Sequence, residues 1–351
     1  MQTLFSGDWL LWYMPITGVE VFWPGLVVLG FAVGIIGGFL GIGGAWMITP
    51  GLNILGFPMP FAIGTDMAHI AGKSIISSVR HARFGNVDAK LATFLLIGSL
   101  PGIELGAQTV MTLERAGIVE SVLHALYIGI LALITLVVFW DRQRFFSLRN
   151  GISLRGLVYK VHLVPMARFH RAEMFCSVWV PVCAGLATGY LSGLLGIGGG
   201  ILRLPVLLYL FGCATHVAVG TDLFCVLVTS LYATFSYTAK GRIELAGVFF
   251  LLSGAAVGAQ IGAVATKYVR GYGIRRVFGL SVLSLLCSVL LAHFGMSLTA
   301  VSLVFLSTGG LAVYIVCALV RGARKEAYVQ EGFPAGGPDA QGQPKATDEE
   351  V

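Results

Sequence analysis

The sequence predicts an all-α polytopic membrane protein made of two inverted repeats. Each repeat is a glycine-broken re-entrant or hairpin segment followed by three transmembrane helices, and one extra helix follows at the C-terminal side. Three observations lead there. The 351 residues are 56% hydrophobic and 11% charged, with mean hydropathy +0.85, whereas soluble domains carry about 25% charged residues. A long motif occurs twice: Gly34-x-x-x-Gly38-x-x-Gly41-Ile42-Gly43-Gly44-x₅-Pro50 returns 155 residues later as Gly189-x-x-x-Gly193-x-x-Gly196-Ile197-Gly198-Gly199-x₅-Pro205. Gly64-Thr65-Asp66 returns 156 residues later as Gly220-Thr221-Asp222, and Gly85/Gly241, Gly98/Gly254 and Gly102/Gly258 keep that offset. The third observation is where the basic residues fall. A repeat this long is a duplicated half-protein rather than a solenoid unit.

Residues 1–20 read as an extracytoplasmic N-terminus, and 21–140 as the first transmembrane repeat. Segment 21–56 is too long for one crossing of about 20 residues. Its Gly-x-Gly-Gly cluster cuts it, which predicts a helix, a break and a shorter second helix. Segments 61–84, 91–111 and 118–140 each fit one span. Residues 141–174 form a basic cytoplasmic loop in which Leu154, Leu157, Val158 and Val161 mark the apolar stripe of an interfacial helix. The second repeat is 175–292: a broken segment at 175–211, then spans at 215–238, 244–266 and 274–292. The extra helix is 298–320, and the Gly-, Pro- and acid-rich 321–351 reads as a disordered cytoplasmic tail.

Charge fixes the expected sidedness. Arg142, Arg144, Arg149, Arg155, Lys160, Arg168 and Arg171 place the loop inside, and Arg321, Arg324 and Lys325 place the C-terminus inside. Four spans connect these points, so 175–211 makes no net crossing. The same rule for 21–56 puts the N-terminus, with Asp8 and Glu20 and no basic residue, outside. The repeats are then inverted, the arrangement of alternating-access transporters. Lys240 and Arg242 land outside, against the rule.

Other classes fit less well. The net charge of +6 sits in short loops, so nucleic acid is not an expected partner; membrane lipids are. No His-Glu-x-x-His or Gly-x-Ser-x-Gly motif is present, and His69, His81, His124 and His293 lack ligand spacing. No enzyme activity, metal or cofactor is expected. The six cysteines lie in apolar segments without a Cys-x-x-Cys pair and read as buried thiols. No basic n-region or cleavage site precedes Val21, so no cleaved signal is expected. Homo-oligomerisation is left open.

The candidate site residues follow from cost. Irregular backbone at membrane depth is tolerated only inside protein or along a wet cavity, so Gly41, Gly43, Gly44 and Gly196, Gly198, Gly199 are expected to line a binding site. Short helices after Gly44 and Gly199 would aim N–H groups at an anion. Gly34/Gly38 and Gly189/Gly193 read as close-packing glycines. Charges inside spans are functional candidates by default. Asp66, His69 and Lys73 share one helical face, with Ser74 beside the lysine. Lys73 either neutralises an anionic substrate or pairs with Glu104. In the second repeat Asp222 matches Asp66, Cys225 replaces His69, Thr229 replaces Lys73 and Gln260 replaces Glu104; Arg203 replaces Ile48. Arg203 either faces the cavity or snorkels to headgroups. Asp66 and Asp222 either carry protons, with His69 and Glu104 as further candidates, or cap their helices.

The paired Gly-Ile-Gly-Gly…Pro and Gly-Thr-Asp motifs resemble the sulfite exporter TauE/SafE family, also called the toluene sulfonate uptake permease family, over roughly residues 20–320. The resemblance implies transport of sulfite, sulfonates or related sulfur anions, linked to protons, in a bacterial inner membrane. By motif match it adds Thr65 and Thr221 to the substrate-binding set. The expected function is therefore a secondary transporter for a small sulfur-containing anion. A passive anion channel and a membrane-embedded sensor or assembly protein are the alternatives.

Overall fold

The computed structural model describes residues 8–40, 45–83, 85–144, 163–265, 268 and 272–330. The chain opens with a β-hairpin, β1 (Leu11–Met14) and β2 (Val19–Phe22). Helices α1 (Trp23–Leu40), α2 (Ala45–Ile54), α3 (Met59–Arg83), α4 (Ala89–Arg115) and α5 (Val119–Arg144) follow. A second hairpin, β3 (Met166–Phe169) and β4 (Met174–Ser177), precedes α6 (Trp179–Leu195) and α7 (Gly200–Pro205). α7 widens into a π-helical turn at Val206–Leu210, where the Phe211 N–H reaches the Val206 carbonyl. Helices α8 (Thr215–Ala239), α9 (Leu245–Ala265), α10 (Tyr272–His293) and α11 (Ser297–Gln330) complete the fold. Among the described residues, six helices are long and apolar enough to cross a membrane.

Two parallel helix pairs form the frame. α1 lies along α9, and α4 lies along α6. Glycine makes this approach possible: a Cβ on Gly34 would sit 2.7 Å from the Ala255 carbonyl oxygen. Gly30, Gly34 and Gly38 meet Leu251, Ala255 and Ala259 in turn, while Gly254, Gly258 and Gly262 of α9 meet Val27, Phe31 and Ile35. The α4–α6 pair uses the matching residues, Gly98, Gly102 and Gly106 against Gly185, Gly189 and Gly193. Small residues of this kind let membrane helices pack backbone to backbone. Each pair takes one helix from each repeat. α3 and α8 pack together in the middle.

The connections at the two ends are equivalent. At one end the Glu244 carboxylate, just before α9, accepts the N–H groups of Ile16 and Thr17 at 2.8 and 3.0 Å, and the Glu244 N–H donates to Thr65 Oγ1 at 2.9 Å. Arg242 there pairs with Glu114 near the end of α4. At the other end the Asp88 carboxylate accepts from Arg171 and Ala172, both at 3.1 Å, and the Asp88 N–H donates to Thr221 Oγ1 at 2.9 Å. Asp88 also caps α4 through the Leu91 N–H. Thus α1 and α3 begin at the Glu244 end, and α6 and α8 begin at the Asp88 end.

Several expectations are corrected. The two hairpins are not predicted by the sequence pattern: Leu11–Phe22 falls in the N-terminus and the start of segment 21–56, and Met166–Ser177 in the basic loop and the start of 175–211. α11 runs on to Gln330, so 321–330 is helical rather than part of a disordered tail. The amphipathic stripe at 154–161 and the tail beyond 330 lie outside the described residues. Cys176, Cys213 and Cys225 are buried thiols, but Cys183, Cys287 and Cys317 are exposed on the protein surface. In a span, an apolar residue can satisfy lipid instead of the core.

Candidate functional site

The broken segment between α6 and α7 enters the middle of the molecule. Gly196, Gly198 and Gly199 all have left-handed backbone, with φ of +74°, +65° and +78°, which a side chain rarely adopts. Gly198 faces Ile70 of α3, 3.2 Å from a notional Cβ, and Val226 of α8 at 3.8 Å. Ile70 and Val226 match each other in the two repeats, and each lies three residues before the Lys73 and Thr229 positions. The break therefore meets the seam between the two central helices, one turn from Lys73. Gly41, Gly43 and Gly44 of the first break lie outside the described residues.

On the α3 side, Asp66, His69, Lys73 and Ser74 are all buried. Thr49 of α2 donates to the Asp66 carboxylate at 2.8 Å and also reaches the Gly196 carbonyl at 3.3 Å, so it links the first repeat to the second break. His69 Nδ1 lies 3.1 Å from the other Asp66 oxygen. Among the described residues the Lys73 amine has no hydrogen-bond partner, and neither do Ser74 Oγ and His69 Nε2. On the α8 side, Arg203 of α7 is fully buried. Its Nη1 lies 3.4 Å from Asp222, and its Nη2 donates to Ser99 Oγ of α4 at 3.3 Å. Arg203 Nε, the second Asp222 oxygen and Ser192 Oγ have no partner.

Charged groups in this setting are costly to desolvate unless they are matched. Asp66 is matched by a hydroxyl and an imidazole, and Asp222 by a guanidinium. Lys73 lies within the electrostatic reach of Asp66 but has no hydrogen-bond acceptor among the described residues. A buried amine in this condition is a candidate for functional work rather than for structural pairing. The serine hydroxyl next to it can donate to an oxyanion.

The structure separates the candidates. Asp66, His69, Lys73, Ser74, Gly196, Gly198, Gly199, Arg203 and Asp222 are brought to the seam. Arg203 does not snorkel. Asp66 and Asp222 are not helix caps: each lies seven residues inside its helix. Glu104 does not pair with Lys73. Its carboxylate takes Lys240 at 3.0 Å, Ser236 at 2.7 Å and Gln108 at 3.1 Å, near the Glu244 end. Lys240 and Arg242, the two basic residues that break the charge rule, are thus each paired with a carboxylate. Thr229 donates back to the Cys225 carbonyl. Thr65 and Thr221 hold the Glu244 and Asp88 N–H groups instead of pointing to the seam. Thr49, Ser99 and Ser192 were missed; each is a lone hydroxyl in an apolar run. Tyr127 and Tyr237 were missed too. They donate to the Leu195 and Gly193 carbonyls and fix the end of α6.

A helical membrane protein with a charged seam between two internal repeats has the architecture of membrane transporters. The family profile Sulfite exporter TauE/SafE matches residues 26–289, and the chain belongs to that family of membrane transporters. It is 25% identical over 286 residues to Probable membrane transporter protein YunE of Bacillus subtilis, covering 76% of this chain and 96% of that one. Identity to the same organism's Probable membrane transporter protein YjnA is 28% over 243 residues, 68% and 88% of the two chains. Identity to Probable membrane transporter protein MJ0441 of Methanocaldococcus jannaschii is 31% over 192 residues, 52% and 61%. No solved structure matches the chain.

Proposed function

We propose that the chain is a secondary transporter that moves a small sulfur-containing anion, such as sulfite or a sulfonate, across the bacterial inner membrane by alternating access. The observation that carries the anion assignment is the buried Lys73 amine, which has no hydrogen-bond acceptor among the described residues. The sulfur class is supported by the description of the family. Ser74 and the Arg203–Ser99 pair supply further donors along the same seam. Asp66 and His69, hydrogen-bonded to each other, are the groups suited to carry a coupled proton. The repeats are read as inverted because α1 and α3 start at the end where α4 finishes, whereas α6 and α8 start at the end where α4 begins. The Asp88 end, with Arg168 and Arg171 beside it, is read as cytoplasmic.

Uptake of sulfite into proteoliposomes, with and without a pH gradient, tests this. Lys73→Ala is expected to abolish uptake and Lys73→Arg to retain part of it, with both proteins remaining monodisperse. Unchanged uptake by Lys73→Ala would remove the lysine from the site. Accumulation against the anion's own electrochemical gradient separates a coupled transporter from a channel.

A further inference from the structure

The Glu244 end of the molecule carries a second polar feature, away from the central seam. A pocket of about 550 Å³ opens there, lined by Gln108, Thr112, Glu114 and Arg115 of α4 and by Lys240 and Arg242 of the turn after α8. Three cations and one carboxylate face it. The Arg242 guanidinium gives Nε and one Nη to Glu114, at 3.2 and 3.0 Å, and packs over the Phe61 ring; among the described residues its other Nη has no hydrogen bond. Among the described residues the Arg115 side chain has no ion pair. A cleft of this size with convergent guanidinium donors suits a small oxyanion or sulfonate.

Beneath the pocket lies a closed path. Lys240 and Ser236 of the second repeat bind Glu104 of the first. Next comes an apolar layer of Met67, Ile70, Ile103, Val226 and Ala233, all fully buried. Gly198 and the seam follow at Ile70 and Val226. From Ser236 to Val226 is ten helical residues, about 15 Å or half the hydrocarbon thickness. Pocket, ion pairs, apolar layer and site thus lie in one line along α8. The ion pairs join α4 to the α8–α9 turn, that is, one repeat to the other. Residues matching Glu104 and Lys240 in the other half are Gln260 and Phe84, so an equivalent acid–base pair cannot form there.

We propose that this pocket is a vestibular binding site for the transported class of anion, distinct from the Lys73 site, and that an anion on Arg115, Lys240 and Arg242 competes with Glu104 and Glu114 and loosens the contact that closes this face. The chemical class of the ligand rests on the proposed function; the site itself rests on the pocket and its cations.

Equilibrium binding of methanesulfonate and of sulfite to the detergent-solubilised full chain tests it. Two sites are expected. Lys73→Ala should leave one, and Arg115→Gln with Lys240→Gln should leave the other, each loss being at least about tenfold in affinity, as for one charge-assisted contact. A single site that Lys73→Ala removes and the vestibular variants spare overturns the vestibular proposal and leaves the proposed function standing. A single site with the reverse pattern does the opposite. Binding of neither anion overturns both. A second measurement does not need the ligand. Ala233→Cys, probed with a membrane-impermeant thiol reagent, should label faster when Glu104→Gln is added and return to slow labelling in Glu104→Lys with Lys240→Glu. Equal labelling in all three overturns the coupling between the ion pair and closure.

Discussion

Replacing Thr65 by valine keeps the shape of a fully buried side chain and deletes one oxygen. That oxygen accepts the Glu244 N–H at 2.9 Å. The N–H belongs to Glu244, just before α9, and both residues are fully buried. An orphaned buried donor costs about 1–3 kcal/mol. The same change at Thr221 strands the Asp88 N–H and should cost a similar amount. The two sites sit at opposite ends of α4, about 40 Å apart by helix rise, and share no partner. Their effects should add to about 2–6 kcal/mol in the double variant. Thermal unfolding in detergent, followed by the mobility or fluorescence of the folded protein, reads this directly. Each single variant should lose several degrees and the double variant the sum, while Thr65→Ser, which keeps the hydroxyl and loses one buried methyl, should cost only about 1 kcal/mol. Anion affinity measured on the folded fraction should stay within about twofold, since neither hydroxyl faces the seam. A variant with unchanged stability but tenfold weaker anion binding would refute this reasoning and return the threonines to the substrate site.

The Arg203–Asp222 pair should behave as a buried ion pair. Arg203→Met alone should cost about 3–5 kcal/mol of stability by stranding the carboxylate, and adding Asp222→Asn should recover a large part of it; failure to recover would show that Arg203 acts through Ser99 instead. Gly34→Val should block the α1–α9 approach, where a Cβ would sit 2.7 Å from the Ala255 carbonyl oxygen. The expected result is loss of folded protein, against little effect of Gly129→Val, whose Cβ meets nothing within 4 Å; equal yields would contradict the packing. Cys176 is buried in β4, and burial pushes its thiol up to about 11. It should resist maleimide at pH 8 until the protein is unfolded, whereas labelling at the rate of Cys183 would show that the second hairpin opens.

Much of this fold could be read from periodicity and repetition, because a bilayer demands long apolar helices and a duplication copies its glycines. Gly34, Gly38, Gly189 and Gly193 were recognised as packing positions for that reason. The hairpins could not be read. β1–β2 and β3–β4 have the same strand lengths and pairing register at an offset of 155 residues, yet Leu11–Phe22 and Met166–Ser177 share no identical residue at matched positions. Only the left-handed turn is kept, by Gly18 in one and Glu173 in the other, and it is held by backbone N–H groups that any residue supplies. Charge was legible as a cost but not as a pairing. Lys73 and Arg203 stand out in the sequence, while Glu104 reads only as an alternative partner of Lys73 or a proton carrier; the fold places its carboxylate one helix-end away, beside Lys240. Thr65 and Thr221 belong to the repeated motif, and repetition cannot say whether a residue is kept for a ligand or for a helix start.

The exchange of helices between the repeats has a consequence for what can exist alone. A single repeat owns one partner of each close-packed pair and the threonine of one clasp, but the groove for its α1 glycines is on the other repeat. Expressed separately, either half would leave backbone-deep furrows facing lipid. It could fill them only by meeting the other half, or a second copy of itself turned to present the missing helix. The chain therefore carries within one polypeptide what a simpler ancestor would have had to achieve by dimerising. The close-packed units of the fold are thus not the two halves of the sequence.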